Sequence, residues 1–329
     1  MITDQGRAQP SPPSPRAAAE RIGPYVRRTP VLRATVAGRP VAFKLEMLQV
    51  TGSFKARGAL NALLSRREAR GVVNHVVTAS GGNHGLGVAT AARLLGVGAT
   101  VFVPGPVPEV KARRIAATGA EVVRVGRSYA DAETEARHLA TRDGIFYVHA
   151  YDDPAVVEGQ STLGLEVLAD MPECDAIAVP VGGGGLLAGV TAAVREAGEG
   201  GAGGRGASAR RTVVGVEPEG CAALHAAVRA GRPVDAPPDG QSVAASALGA
   251  SRAGRLAFAA CQSGLVGLAM VSDDAILAAQ GRLWEEFRLA VEPAAATVFA
   301  AWLAGQVPGD FPCLVLSGAN ADWAPATAH

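Results

Sequence analysis

The sequence predicts an α/β fold with two domains, each a mainly parallel twisted sheet with helices on both faces. Three observations predict it. Short β-branched runs alternate with longer alanine-rich stretches along most of the chain, and strands separated by helices pair in parallel. Glycine- or serine-containing loops at 80–85, 182–185 and 317–320 follow three of those runs. Open α/β sheets bind ligands there, outside the carboxyl ends of their strands. Finally, a chain of 329 residues with 48% hydrophobic and 19% charged residues is globular in composition and long enough for about two domains.

The elements follow in order. Residues 1–15 read as a flexible tail, since four of the six residues from Pro10 to Pro15 are proline. Val41–Leu45 reads as a strand, and Ser53 as the cap of a helix through Ala59, Leu60, Leu63 and Leu64. His75–Thr78 is a strand, and Asn83–Leu95 a helix ended by Gly96. Strands at Thr100–Val103, Glu121–Val125 and Ile145–Val148 alternate with helices at Pro108–Thr118 and Tyr129–Thr141. A helix at Pro154–Ala169, a strand at Ala176–Val181 and a helix to Glu196 come next. Gly198–Ser208 reads as a mobile glycine-rich loop. Strands at Thr212–Val216, Leu265–Val271 and Cys313–Leu316 and helices at Asp273–Leu289 and Pro293–Leu303 complete the series.

Several function classes drop out. A net charge of +1 gives no basic field for nucleic acid or an anionic membrane surface. Cys174, Cys221, Cys261 and Cys313 are far apart and form no CxxC pair, so they read as reduced thiols and not as a zinc site or disulfide framework. The polar, proline-rich start carries no apolar signal region, and runs such as Ala176–Val181 are too short to span a bilayer. A cytoplasmic protein is the expectation.

Four segments can carry chemistry. Lys55, in Thr51-Gly-Ser-Phe-Lys-Ala-Arg-Gly58, faces the positive end of a helix dipole. That end disfavours a cation and lowers the pKa, and a neutral amine is what Schiff-base chemistry needs. Taken alone, such a lysine is more often a solvated surface charge. In Ser80-Gly-Gly-Asn-His-Gly85 the glycines let backbone N–H groups converge on a carboxylate at a helix N-terminus, or simply make a tight turn. Gly182, Gly183, Gly184 and Gly185 between a strand and a helix suit close approach of a phosphate. The same stretch fits a loose dinucleotide pattern at Gly183, Gly185 and Ala188, with Glu217 as ribose acid, although Glu217 comes later than the usual ~20 residues. Ser317, at the end of an apolar strand, can hydrogen-bond a ligand nitrogen.

Together, in this order, SFKARGA, SGGNHG, VPVGGGGLLAG, VEPEG, VEPAAA and LSGAN resemble the serine/threonine dehydratase and serine racemase family. This is the tryptophan-synthase-β-like group of pyridoxal-phosphate enzymes known as fold type II. The resemblance runs from about Arg28 to Asp322. It implies pyridoxal 5'-phosphate as cofactor, a small amino acid as substrate and a homodimer. A large cofactor domain would hold residues 16–74 and 150–329, and a small substrate-gating domain residues 75–149. By resemblance Lys55 holds the cofactor and moves the α-proton, and Phe54 packs on the pyridine ring. Asn83 bonds the ring hydroxyl, Gly182 to Gly185 cradle the phosphate, and Ser317 pairs with the pyridine nitrogen. Ser80, Gly81, Gly82, Asn83 and His84 grip the substrate carboxylate. A serine at the ring nitrogen weakens the electron sink and favours prompt loss of a β-leaving group. The implied reaction is dehydration of a β-hydroxy amino acid such as L-threonine or L-serine, giving a 2-oxo acid and ammonia.

Departures from the pattern narrow this reading. Racemases of the family carry a second serine at the position of Gly81, and racemisation needs acid–base groups on both faces. A racemase or a β-replacement enzyme is therefore the alternative reading. Gly81 is also expected to leave room for a bulkier substrate. Racemase-like members bind a metal through the glutamate at Glu217 and an acid at the position of Ala223, so no metal is expected. Ser246 stands where many members have aspartate. A nicotinamide-binding protein, or a relative that kept the fold without catalysis, remain competing readings.

Overall fold

The computed structural model describes residues 14–199, 211–236 and 241–321. Helix α1 (Pro15–Ile22) begins on Ser14, whose hydroxyl accepts from Ala17 N, with Pro15 supplying the fixed φ that suits a first turn. Pro15, assigned to the tail from sequence, is thus helical. The rest of that tail, 1–13, and residues 200–208 of the glycine-rich loop lie outside the described residues.

Strands β1 (Val31–Val36) and β2 (Arg39–Lys44) form an antiparallel hairpin. The sequence reading has only β2. The turn at Ala37 (φ 50°) and Gly38 (φ 75°) has two positive-φ residues. Such turns usually announce themselves as Asn-Gly or Gly-Gly, and alanine masks the signal. Helix α2 (Lys55–Arg70) follows. Ser53 does not cap it: α2 starts from Phe54 without a side-chain cap, and buried Ser53 forms an isolated bridge with Gly318.

The next strands and helices alternate as the apolar runs predict. They are β3 (His75–Ala79), α3 (Asn83–Leu95), β4 (Gly98–Val103), α4 (Glu109–Ala116), β5 (Glu121–Arg124), α5 (Tyr129–Leu139) and β6 (Ile145–Tyr147). Gly96 ends α3 in the left-handed region at φ 67°. These four strands form one parallel sheet in the order β5-β4-β3-β6.

Then come α6 (Pro154–Asp170), β7 (Ala176–Pro180), α7 (Gly185–Glu199), β8 (Thr212–Pro218), α8 (Ala223–Ala230), α9 (Ala245–Leu248), α10 (Arg255–Cys261), β9 (Val266–Val271), α11 (Asp273–Phe287), α12 (Pro293–Leu303) and β10 (Cys313–Val315). They complete a six-stranded sheet, β1-β2-β10-β7-β8-β9, parallel except for the edge hairpin. One core packs α11 and α12 on one face of this sheet, and another packs α6, α7 and α8 on the other. All four cysteines are free thiols.

A buried ion cluster ties the start of α2 to this sheet. The Arg57 guanidinium, fully buried, donates to Glu46 Oε2 at 2.9 Å and Oε1 at 2.7 Å. It also donates to Glu166 Oε1 at 2.7 Å and Oε2 at 3.0 Å. Buried Lys44, at the end of β2, donates to Glu166 Oε2 at 2.6 Å and to Thr29 O at 2.7 Å. Burial pushes the Glu46 carboxyl up, but the Arg57 guanidinium beside it holds it below the usual value. Removing one partner from such a cluster leaves a buried charge unpaired. Arg57→Met should therefore lower the unfolding free energy by about 3–5 kcal/mol, measured by urea denaturation. An unchanged midpoint would show that the cluster contributes little.

Candidate active site

The chain between β2 and α2 runs along the end of β10, and this alone brings Lys55 beside Ser317. Leu316 N donates to Lys44 O (2.9 Å), Met47 N to Leu316 O (3.1 Å), Phe54 N to Ser317 O (3.1 Å) and Ala319 N to Gly52 O (3.0 Å). Lys55 is the first residue of α2, and its Nζ donates to Ala150 O at 2.8 Å. Its Nζ lies 5.2 Å from the Phe54 ring centroid. Burial pulls the Lys55 amine down to about 8, against the opposing pull of the Glu292 carboxylate. Much more of this amine is neutral near pH 7 than of an ordinary lysine, as its place at the positive end of α2 also favours.

Ala150 and Tyr151 join this lysine to the glycine loop. Residues 182–185 link β7 to α7, and a Cβ on any of the four would meet protein. At Gly183 it would sit 2.2 Å from the Tyr151 ring, at Gly184 2.3 Å from Ala257 Cβ, and at Gly182 2.9 Å from Leu248 Cα. Gly184 also has φ 85°. The loop therefore needs glycine for its own packing, and it leaves backbone N–H groups at the start of α7 for an anion.

The 80–84 loop leads from β3 into α3. A narrow cleft opens beside it, lined among others by Gly81, Gly82, Asn83, Ser246, Glu292 and Asn320. Asn320 Nδ2 donates to Asn83 Oδ1 (2.8 Å) and Thr51 O (2.7 Å), and Asn83 Nδ2 donates to Glu292 Oε1 at 2.7 Å. Burial pushes Glu292 up. Helix α9 closes the gap to the glycine loop. A Cβ on Gly82 would lie 3.5 Å from Ser246 O, and Gly182 abuts Leu248 of the same helix.

Not every anticipated side chain reaches this cleft. Ser80 Oγ accepts from Gly82 N at 3.2 Å, which shapes the loop. His84 is buried, with Nε2 3.2 Å from Val148 O and Nδ1 without a partner. Burial and the Lys55 charge hold it at about 3, so it is neutral. Lys55, Phe54, Ser317 and the glycine quartet are not among the residues that line this cleft. Glu292 and Asn320 belong to motifs legible in the sequence, VEPAAA and LSGAN, without a role read for them. Lys111, Arg114 and Ile115 of α4 also line the cleft, and nothing local in the sequence marks them.

Two expectations need correction. Gly81 does not leave spare room: a Cβ there would meet Val107 Cγ2 at 2.4 Å. Val107 is held in place, since its carbonyl accepts from Arg124 Nη1 (2.9 Å) and its N–H donates to Pro104 O (3.1 Å). Glu217 is not free for a ribose. It is buried and accepts from Leu224 N (2.7 Å), His225 N (2.9 Å) and His225 Nδ1 (2.6 Å). That removes the support for a nicotinamide site.

The family described as "Pyridoxal-phosphate dependent enzyme" matches residues 22–318. The chain belongs to that family. Among curated members, it is 37% identical over 313 residues to an L-threonine ammonia-lyase of Geobacter sulfurreducens, covering 93% of this chain and 74% of that one. It is 36% identical over 316 residues to a phenylserine dehydratase of Ralstonia pickettii, covering 94% and 93%. The fold matches a threonine deaminase from T.th. with a TM-score of 0.83 at 37% identity, covering 94% of this chain and 98% of that one. Maize serine racemase also matches with a TM-score of 0.83, at 30% identity and 94% and 93% coverage. The protein is a fold type II pyridoxal-phosphate enzyme, a lyase of the threonine/serine dehydratase type.

The site fits that cofactor on its own geometry. A part-buried amine whose pKa is lowered to about 8 can condense with an aldehyde. A loop in which no Cβ fits, at a helix N-terminus, can receive a phosphate.

In the cofactor-free protein, labelling of Lys55 by an amine-directed reagent should rise with pH through about 8, not through the ordinary 10.5, because only the neutral amine reacts. Glu292→Gln removes the charge that raises this pKa and should shift the midpoint lower. Peptide mapping of the labelled lysine reads both. Gly81→Ser should cost about 1–3 kcal/mol by overpacking against Val107, and adding Val107→Ala should restore at least half of it. Denaturation of the two variants decides, and full stability of Gly81→Ser alone would contradict the contact.

Proposed function

We propose that this protein catalyses β-elimination from a β-hydroxy amino acid of the L-threonine or L-serine type, giving a 2-oxo acid and ammonia. Lys55 would hold the cofactor through its amine, with Phe54 against the ring, Asn83 at the ring hydroxyl, Ser317 at the ring nitrogen and Gly182 to Gly185 around the phosphate. Pyridoxal phosphate, when bound, supplies the electron sink that acidifies the substrate α-carbon.

The chain's own groups do the rest. The N–H groups of Gly81 and Asn83, at the N-terminus of α3, receive the substrate carboxylate, while the Gly82 N–H is held by Ser80 Oγ. Lys55, drawn toward neutrality by burial, takes the α-proton and returns a proton as the β-hydroxyl leaves. Water loss from the α- and β-carbons leaves an enamine, whose hydrolysis gives the 2-oxo acid and ammonia. Residues 75–149 would form the unit that gates access. A cytoplasmic homodimer is proposed on resemblance alone.

The observation that carries the choice of reaction lies at Gly81. Its side-chain space holds the isopropyl group of Val107, which can neither donate nor accept a proton. Racemisation requires such a group on each face, whereas elimination can run with one. Lys55→Ala should reduce 2-oxo acid formation from L-threonine and L-serine by about 10²–10⁴-fold, followed by a coupled 2-oxo acid assay. Normal turnover by that variant would refute the assignment. Chiral analysis of the same L-serine incubations should show no D-serine, and racemisation without 2-oxo acid would replace elimination by the alternative.

A further inference from the structure

The imidazole of His149 organises the turn between β6 and α6. Its Nδ1 accepts from Tyr151 N at 3.1 Å and from Asp152 N at 2.9 Å. A backbone N–H can only donate, so Nδ1 carries a lone pair and the ring proton sits on Nε2. Accepting from the N–H groups two and three residues on is the usual task of asparagine or aspartate in a turn. Here a titratable ring does it, and a proton on Nδ1 removes the acceptor. Three parts of the site hang on this turn. Ala150 O accepts from Lys55 Nζ at 2.8 Å. The Tyr151 ring packs on Gly183, and its hydroxyl donates to Arg252 O at 3.1 Å. Asp152 accepts from Leu256 N at 3.1 Å and from Arg255 Nε at 3.0 Å, which anchors the start of α10.

We propose that His149 is a positioning residue for Lys55 and the glycine loop, acting through its unprotonated Nδ1 on the 149–152 turn, and that the site loosens when this nitrogen takes a proton. The proposal rests on the assignment of Lys55 to the cofactor given above. The groups facing the ring are Glu133 and Arg137 of α5, Tyr147 of β6, His84 of α3, and Tyr151, Asp152 and Asp153 of the turn itself. Glu133 Oε1 lies 3.8 Å from Nε2, but it is already engaged by Arg137 Nη2 at 2.6 Å and the Tyr147 hydroxyl at 3.2 Å. Burial holds the ring below its ordinary 6.5, with Arg137 adding to this and Glu133, Asp152 and Asp153 opposing it. The neutral ring therefore prevails at pH 7, and the turn loses its acceptor only as the pH falls through that lowered value.

Two variants separate the lone pair from the ring. His149→Asn keeps a side-chain acceptor for the turn and cannot titrate, whereas His149→Leu has no acceptor. The readouts are kcat/KM of the holoenzyme for 2-oxo acid formation and the affinity of the full chain, stripped of cofactor, for pyridoxal phosphate by absorbance titration. At pH 8, His149→Leu should lose about tenfold or more in both, the value of two hydrogen bonds, and His149→Asn should recover most of that loss. Between pH 8 and pH 5 the unaltered protein should lose about threefold or more affinity beyond the loss shown by His149→Asn, because it alone takes up the extra proton at residue 149. Equal impairment of the two variants at pH 8 would show that the ring and not its lone pair matters, and would overturn the proposal. So would parallel pH profiles for the unaltered protein and His149→Asn, a comparison that stands even if His149→Leu does not fold. The affinity measurement involves no turnover, so a failure of elimination on L-threonine and L-serine leaves it decisive. Failure of the Lys55 assignment shows separately, as normal turnover by Lys55→Ala.

Discussion

The active site depends on a charge placed where water cannot reach it. Arg57 lies two residues beyond Lys55 in the first turn of α2, and its guanidinium is shared between Glu46 and Glu166. Lys44 closes the cluster from β2. Desolvating these groups is costly, and the cost is offset only while every partner keeps its geometry. The cluster therefore tolerates little rotation of α2 relative to β2 and α6. Lys55 inherits that rigidity, because its backbone is fixed by the same turn of helix. Preorganisation of this kind is what a reactive amine needs in order to meet a bound carbonyl without searching.

Around the lysine, the site is built mainly from backbone. The backbone at Gly52 and Phe54 hydrogen-bonds to that at Ala319 and Ser317. The glycine quartet packs so closely on Tyr151, Leu248 and Ala257 that no side chain would fit. The same close approach recurs where Gly81 meets Val107, whereas a Cβ on Gly82 would make only ordinary contact with Ser246. Glycine at these positions does two jobs at once. It permits the packing, and it leaves amide groups at the starts of α3 and α7 turned toward a ligand.

Electrostatics follow from burial. The Lys55 amine, the His84 ring and the Glu292 carboxyl all lie away from water, and each is pushed toward its neutral form. Lys55 and Glu292 resist this for one another, because each charge favours the other. Asn83 links Glu292 to Asn320 by hydrogen bonds, and the Glu292 charge is what couples this network to the lysine. A chain of bonds in a low-dielectric setting transmits such bias more strongly than it would in water.

Much of this was legible in the chain itself. The bounds of α3 at Asn83–Leu95 and of α12 at Pro293–Leu303 follow from local signals, a left-handed glycine cap at one end and a helix-starting proline at the other. The β1–β2 hairpin and helices α1 and α8 to α10 escaped because their signals are short or carried by untypical residues. Local sequence determined the alternating strands and helices, the glycine loops and Lys55 at a helix start, because those depend on periodicity and on residues' own backbone preferences. Only the tertiary structure decided that Glu292, Asn320 and the cations of α4 share a cleft with Gly81, that Val107 fills the space glycine vacates, and that Glu217 is already engaged. These are contacts between segments far apart in the chain, and they are set by how the sheets and helices pack and not by any local pattern.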